Sequence, residues 1–366
     1  MGRARPYAST APLSIETVGL DRPGPGEVML RMLAAGLCHS DLSVIDGSRP
    51  RVMPMVLGHE ACGEVIEIGA DAGALRPGDR VVLAFVPSCG ACASCTGGRP
   101  ALCEPGAHAN VAGTLLSGAR RWRRNDGAAL HHHLGVSAFA EHAVVSAGSV
   151  VCVDRELDPA IAALFGCAVM TGVGAVVNTA RVTAGDSVAV FGLGGVGLAA
   201  LLGAAAVGAH PLIAVDMVPR KLEIARACGA THVVLPSADQ DTASAVRDAS
   251  AGGVAFAFDT AGSAKALAQA YAATRRGGTT VTAGLPDPSQ QFSVPAVSLV
   301  VDERTVKGSY MGSCVPARDI PRFVSLYRAG RLPVDRLLTH RLSLDEINDG
   351  FDRLASGTAI RQIVTF

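Results

Sequence analysis

Four cysteines, Cys89, Cys92, Cys95 and Cys103, are separated by two, two and seven residues. Spacers this short let one loop wrap a single tetrahedral ion. Four thiolates fill its coordination and leave no place for a substrate, so a zinc held this way is structural. An iron–sulfur cluster is the competing reading of closely spaced cysteines, although nothing else in the chain suggests electron transfer. A second pattern is Gly192-Leu-Gly194-Gly195-Val-Gly197, which follows the apolar Ser187–Phe191 directly and leads into an Ala/Leu-rich stretch. In a strand–loop–helix setting these glycines have separate uses. Gly192 permits the tight turn, Gly194 lets a pyrophosphate approach the backbone, and Gly197 allows close helix–strand packing. The helix N-terminus then offers free N–H groups and partial positive charge to phosphate. Asp216 lies nineteen residues after Gly197, at the end of the next apolar run. A carboxylate there binds ribose hydroxyls and repels a 2′-phosphate, which favours NAD over NADP. A third set is scattered: Cys38 in Gly36-Leu-Cys-His-Ser-Asp41, His59 in Gly58-His-Glu60, and Cys167 in Gly166-Cys-Ala-Val-Met-Thr-Gly172. Singly, each reads as a core cysteine or a satisfied histidine, and spacing alone does not bring them together.

The elements that must position these residues fall into two styles. Before about residue 168 the chain reads as short strands between Gly and Pro, among them Glu27–Leu33, Gly63–Ile68 and Asp79–Ala84. Turn signals such as Arg76-Pro77-Gly78-Asp79 bound them, giving an irregular, mostly β domain. Beyond that point strands alternate with helical stretches: Ser187–Phe191, Val196–Val207, Leu212–Asp216, Arg220–Cys228, His232–Leu235, Val254–Asp259 and Gly278–Ala283. These strands are apolar throughout, as in a parallel sheet covered on both faces, and the alternation predicts a doubly wound α/β domain. The chain ends in the strand-like Ile360–Phe366.

At 366 residues, 49% of them hydrophobic, the chain has apolar material for two domains rather than one core. Its 32 basic and 32 acidic residues cancel, which removes the broad positive field of a nucleic-acid binder. Arg120, Arg121, Arg123 and Arg124 around Trp122 read as a solvated loop. No run of eighteen uncharged apolar residues is read in the chain, so no membrane partner is expected. Met1 to Ala11 carries Arg3 and Arg5 but no apolar stretch, so no secretory signal is expected. Ten cysteines, four of them in metal-like spacing, favour a reducing, cytoplasmic setting.

Taken together and in order, the Cys38, His59 and Cys167 segments, the cysteine lobe and the glycine loop resemble the zinc-dependent medium-chain alcohol dehydrogenases. The resemblance covers nearly the whole chain, from these segments through Gly113 to Val145, with His132-His133-Leu-Gly135, to Ile360-Arg-Gln-Ile-Val-Thr-Phe366. It is nearest to the longer, animal- and plant-type forms. It implies a GroES-like catalytic domain of residues 1–168 and 310–366, with a Rossmann NAD-binding domain of residues 169–309 inserted. It implies that Cys38, His59 and Cys167 hold a catalytic zinc with a fourth position for water or substrate, acting as a Lewis acid. Two zinc ions per chain are expected. Asp41 matches the carboxylate that orients the ligating imidazole, Glu60 the acid behind the zinc, and Ser40 the hydroxyl that takes the alcohol proton. In the relatives a histidine often stands where this chain has Ser43.

For the cofactor, the resemblance matches Asp216 and Lys221 to ribose-side residues, His39 and Arg361 to pyrophosphate contacts, and Thr171 and Val196 to residues near the nicotinamide. For the substrate pocket, Phe85 matches a wall, whereas Arg49 and His133 fall where liver-type enzymes have apolar residues. The expected activity is reversible hydride transfer between a primary or secondary alcohol and NAD. Glutathione-dependent formaldehyde dehydrogenases are the nearest rival, but they carry acidic residues about where Arg49 and Arg51 stand. A non-catalytic dinucleotide-binding protein on the same fold is the remaining alternative, and such proteins typically lose the catalytic zinc ligands. The apolar run Val294–Val301 is expected to form an edge strand that pairs two copies into a homodimer.

Overall fold

Strands that are apolar on both faces must be covered on both faces, and the second half of the chain supplies them. The computed structural model, which describes residues 12–85, 87–237 and 239–366, arranges six strands in one sheet. Their order is His232–Val234, Leu212–Val215, Val188–Phe191, Val254–Asp259, Thr274–Thr282 and Thr305–Gly308. Every neighbouring pair is parallel. In chain order this is 3-2-1-4-5-6, the doubly wound arrangement, with its reversal between Val188–Phe191 and Val254–Asp259. Ala189, Phe191, Ile213, Val215 and Ala257 are buried with Ala243, Val246 and Ala270 from the covering helices. Gly192 leaves the first strand at the reversal, so the glycine loop lies where such sheets bind ligands.

The first half builds a seven-stranded, largely antiparallel sheet. Its path runs Leu338–Leu342, Arg361–Thr365, Glu27–Gly36, Glu60–Ile68, Arg80–Leu83 and Val150–Cys152, with His142–Ser146 paired to Glu27–Gly36. The C-terminal strand therefore pairs with the strand that ends just before Cys38. Leu37, Leu42 and Val364 pack with Ile347, Phe351 and Leu354 of the helix Ile347–Ala355. A smaller sheet joins Gly19–Leu20, Trp122–Arg123, Ala129–His132 and Met55–Val56.

The chain divides into two compact units: one runs through Cys167 and adds Val315–Pro321 and Leu338–Phe366, and the other holds Ala168–Cys314 and Arg322–Leu337. Residues 310–314 and 322–337, expected with the catalytic tail, and Ala168, expected with the first part, thus belong to the second unit. Leu332, Val334 and Leu337 are buried there, and Arg331 and Arg336 donate to the carbonyls of Ala206 and Ala227.

Four other expectations meet the structure differently or fall outside it. Pro159–Ala180 is an uncharged helical run of 22 residues, long and apolar enough to cross a membrane by length and composition, contrary to the expectation of no such run. Its most apolar window is 94% buried inside the protein, as in a core helix. Val294–Val301 contributes the helix Ala296–Val301, not a strand: Pro295 caps it and Ser298 Oγ donates back to the Pro295 carbonyl at 2.7 Å. The sheet edge is instead Thr305–Gly308. The arginine cluster is solvated at Arg120, Arg123 and Arg124 as expected, but it is not a loop throughout: Trp122 is buried in the strand Trp122–Arg123, and Arg121, Arg123 and Arg124 pair with Glu27, Asp21 and Glu16. The expectation about Met1 to Ala11 lies outside the described residues.

Candidate active site and metal centres

Strand Glu27–Gly36 ends two residues before Cys38, which sits in extended conformation at the N-terminus of the helix His39–Ile45. His59 immediately precedes strand Glu60–Ile68. The backbone reaches it through Gly58 at φ +93°, where a Cβ would stand 2.6 Å from the Phe139 nitrogen. Cys167 lies in a π-helical segment, Phe165–Val169, of the buried run; such irregular turns often mark functional positions. These three elements bring one donor atom each from Cys38, His59 and Cys167 within 4.8 Å of one another. Cys167 Sγ lies 3.5 Å from His59 Nε2, and all three residues are buried.

Asp41 stands behind His59. Its Oδ1 is 3.1 Å from His59 Nδ1 and accepts the Gly58 N–H at 3.1 Å, while Oδ2 accepts the Cys38 N–H at 3.3 Å. A carboxylate facing Nδ1 fixes the tautomer and leaves Nε2 for the sulfurs. Burial opposes ionisation of Asp41, but His59 and His133 outweigh it and hold the carboxyl down at about 2. The Cys38 thiol is lowered by its hydrogen bond with Cys167, then by the Arg361 charge, and the Cys167 thiol is raised by the same hydrogen bond and by burial. Glu60 is fully buried, and burial raises it to about 7 although Arg361 Nη1 lies 3.5 Å from its carboxylate. Two sulfurs and one imidazole nitrogen, with a carboxylate behind the imidazole, suit a zinc that keeps a fourth position open.

The other expected residues of this unit take different places. Ser40 Oγ is 3.9 Å from Cys38 Sγ. Ser43 Oγ donates to the His39 carbonyl at 2.8 Å, so its hydroxyl is spent on its own helix. His39 is exposed, and Arg49 is half-buried with its N–H on the Ser43 carbonyl. The Phe85 ring meets the His59 ring edge-on at 5.4 Å. Arg361, matched to a pyrophosphate contact, is buried and donates to the Leu37 carbonyl at 3.1 Å besides pairing with Glu60. His133, matched to a pocket wall, is buried with Nδ1 3.1 Å from Asp41 Oδ1 and its ring 5.5 Å from that of His59. Burial lowers the His133 imidazole, against the pull of Asp41. Sequence reasoning misses this contact; its one signal is a polar residue where relatives have apolar ones.

The sulfurs of Cys89, Cys92, Cys95 and Cys103 also lie within 4.8 Å of one another. Zinc–sulfur bonds of about 2.3 Å place tetrahedral sulfurs about 3.8 Å apart, which this cluster accommodates. Backbone N–H groups of Cys89 and Gly106 point at Cys103 Sγ at 3.2 and 3.3 Å, and that of Cys92 at Cys89 Sγ at 3.3 Å. Donors aimed at sulfur stabilise thiolate, and those of Ala91 and Cys92 bring Cys89 down to about 6. Cys103 is buried and the other three are half-buried.

In the second unit, Gly192 has φ +91°, and a Cβ on Gly197 would stand 1.8 Å from the Gly192 carbonyl oxygen, so helix Gly195–Ala206 starts hard against the turn. Among the described residues, nothing beyond its chain neighbours lies within 4 Å of a Cβ built on Gly194, and no side chain caps this helix. Asp216 accepts the Leu193 N–H at 2.6 Å and the Val218 N–H at 2.8 Å, which brings the carboxylate to the glycine loop. Lys221 lies on helix Pro219–Ala227. Thr171 is buried and Val196 half-buried, on helices that touch where a Cβ on Gly172 would stand 2.3 Å from the Val196 carbonyl.

Residues 24–155 match the family model of the alcohol dehydrogenase GroES-like domain, and residues 195–329 match that of zinc-binding dehydrogenase. A Mycobacterium tuberculosis protein described as a candidate alcohol dehydrogenase D is 39% identical over 98% of this chain and 97% of its own. An Escherichia coli S-(hydroxymethyl)glutathione dehydrogenase is 36% identical over 98% of both. The crystal structure of benzyl alcohol dehydrogenase from Acinetobacter calcoaceticus superposes with a TM-score of 0.91 at 33% identity, over 96% of this chain and 95% of that one.

Proposed function

The chain belongs to the zinc-dependent medium-chain alcohol dehydrogenase family, and from that premise we propose that it is an NAD-dependent enzyme with two zinc ions per chain that interconverts primary or secondary alcohols with aldehydes or ketones. The observation that carries this reading is the pair of metal-competent clusters with different donor sets: Cys38, His59 and Cys167 on one side, four thiols on the other. Zinc, when bound to the first set, supplies Lewis acidity that eases removal of the alcohol proton, and NAD supplies the hydride acceptor.

The chain's own residues do the rest. Cys38 and Cys167 place two negative charges beside the metal position, and Asp41 keeps His59 turned so that Nε2 faces it. Ser40 takes the alcohol proton. Ser43 is committed to the His39 carbonyl, so this position offers no side-chain base, and the proton leaves Ser40 for water. Phe85 keeps water from the flank of His59. Glu60 and Arg361 neutralise each other in the buried layer behind. In the second unit the open Gly194 and the uncapped helix N-terminus would hold the pyrophosphate, and Asp216, at the glycine loop, and Lys221, on helix Pro219–Ala227, would hold the ribose side.

The substrate reading excludes a preference for S-(hydroxymethyl)glutathione, although one relative is named for that activity. Arg49 and Arg51 stand where acidic residues are expected in such enzymes, and the Arg51 charge reaches as far as His133. The exposed Val297, Val300 and Val301, just ahead of the edge strand Thr305–Gly308 in the chain, support a homodimer built on this edge. Thiols held for metal also suit a reducing compartment, which we read as the cytoplasm. A metal count on the purified protein, followed by a panel of alcohols with NAD monitored by NADH absorbance, tests the proposal. Two zincs per chain and turnover of simple alcohols are expected. One zinc or none, or turnover confined to formaldehyde with glutathione, would overturn it.

A further inference from the structure

Asp41 is shared. A carboxylate has about four lone-pair positions, and this one, with no exposure to solvent, is approached by four groups. The Cys38 N–H takes Oδ2, while the Gly58 N–H, His59 Nδ1 and His133 Nδ1 all converge on Oδ1 at 3.1 Å. His133 Nδ1 lies at ion-pair distance from Oδ1 without the geometry of a hydrogen bond; a proton on Nδ1 is the tautomer that spares a bare nitrogen lone pair from facing the carboxylate. Resting on the metal assignment above, we infer that His133 is a positioning residue: a second imidazole on Asp41 that fixes the oxygen to which His59 is anchored.

His133 is itself held rigidly. Its N–H donates to Ser137 Oγ at 2.9 Å, and its carbonyl accepts the N–H groups of Val136 and Ser137 at 3.0 and 3.2 Å. Leu134, Gly135 and Ser137 are all left-handed in this turn, at φ +53°, +70° and +57°. The ring stands nearly perpendicular to that of His59, at 86°, so the two imidazoles approach one oxygen from different directions without stacking. The buried His133 ring stands against Oδ1 from a second side, at electrostatic rather than hydrogen-bonding contact, and so limits how far that oxygen can swing with the His59 ring. The Nε2 direction toward Cys167 Sγ is thereby influenced by a residue outside the three-donor set.

The test compares His133→Phe, which keeps a ring but no donor, with His133→Asn, which keeps a short N–H donor. Cobalt placed at the three-ligand centre reports its environment and its own loss through its visible bands, and zinc in the four-cysteine lobe is counted in the same samples after challenge with a chelator. Removing the group that orients a metal-ligating histidine typically costs 10–100-fold in metal affinity or activity. Asp41 keeps its two backbone donors, so cobalt loss from His133→Phe is expected about tenfold faster, at the low end, with shifted bands and unchanged loss from the lobe. His133→Asn should restore most of the retention and the band positions. Unaltered bands and retention in His133→Phe, equal acceleration at both centres, or no rescue by Asn would overturn the inference. Failure of the metal assignment is read separately: a wild-type protein that takes up no metal at Cys38, His59 and Cys167 contradicts both.

Discussion

The two candidate metal clusters are built in different ways from similar donors. The Cys89–Cys103 lobe is made from one short segment, half-exposed, and its sulfurs are supported by backbone N–H groups of that segment. The Cys38, His59 and Cys167 centre is drawn from three distant segments, buried, and supported by side chains: Asp41 and His133 behind the imidazole, Glu60 and Arg361 beyond. Four equivalent thiolates saturate an ion and staple a loop. Three mixed donors held by a rigid polar layer leave a position for chemistry. The difference teaches that what decides a metal's role here is the number of donors and what fixes them, not the thiol itself.

The comparison breaks most visibly if the two sets are exchanged in their effects. Cys167→Ser should lower kcat by at least about 10³-fold, because the Lewis acid supplies several kcal/mol of transition-state stabilisation. It should leave the melting temperature and one zinc per chain in place. Cys95→Ser should do the opposite, lowering the melting temperature by at least about 5 °C, since metal-binding energy at such a site is folding energy. Differential scanning calorimetry and metal analysis on both variants check the pair, and two folded, active variants would dissolve the distinction.

Ser40→Ala comes next, with an expected loss of about 10²-fold in kcat and a shifted pH profile, within the range for a lost proton acceptor. Asp216→Gly should improve kcat/KM with NADP by at least about tenfold relative to NAD, since a like charge set directly against a 2′-phosphate costs several kcal/mol. A wild-type protein that already uses both cofactors equally would contradict that reading. The smallest effect belongs to Ser43→Ala. Its hydroxyl serves the His39 carbonyl, so kcat should stay within about twofold of wild type, well short of the loss expected of a general base. A large fall with an altered pH profile would make Ser43 a relay member after all.

The same contrast explains which features the amino-acid sequence makes legible. The cysteine lobe and the Gly192–Gly197 loop with Asp216 are local patterns, and a local pattern carries its geometry in its spacing. The sheet order around the loop follows from strands too apolar to have a wet face. Cys38, His59 and Cys167 come together in the sequence only through family resemblance, because no periodicity links three segments that far apart. The contact of His133 with Asp41 is hidden for the same reason, and the residue reads as a pocket wall. Val294–Val301 reads as a strand because an apolar run has no period of its own, whereas Pro295 decides for a helix. The uncharged run Pro159–Ala180 is easily passed over because Thr171, Asn178 and Thr179 interrupt it without charging it.

One experiment addresses the division of labour directly. The wild-type enzyme is exposed to a chelator, and samples taken along the time course are assayed for zinc content, for alcohol oxidation and for the melting transition. The account predicts that activity falls in proportion to loss of one zinc per chain, that the melting transition follows the other, and that the two losses separate in time or in chelator concentration. Activity and melting that decline together with total zinc, or activity that survives until the last zinc leaves the four-cysteine lobe, would contradict it.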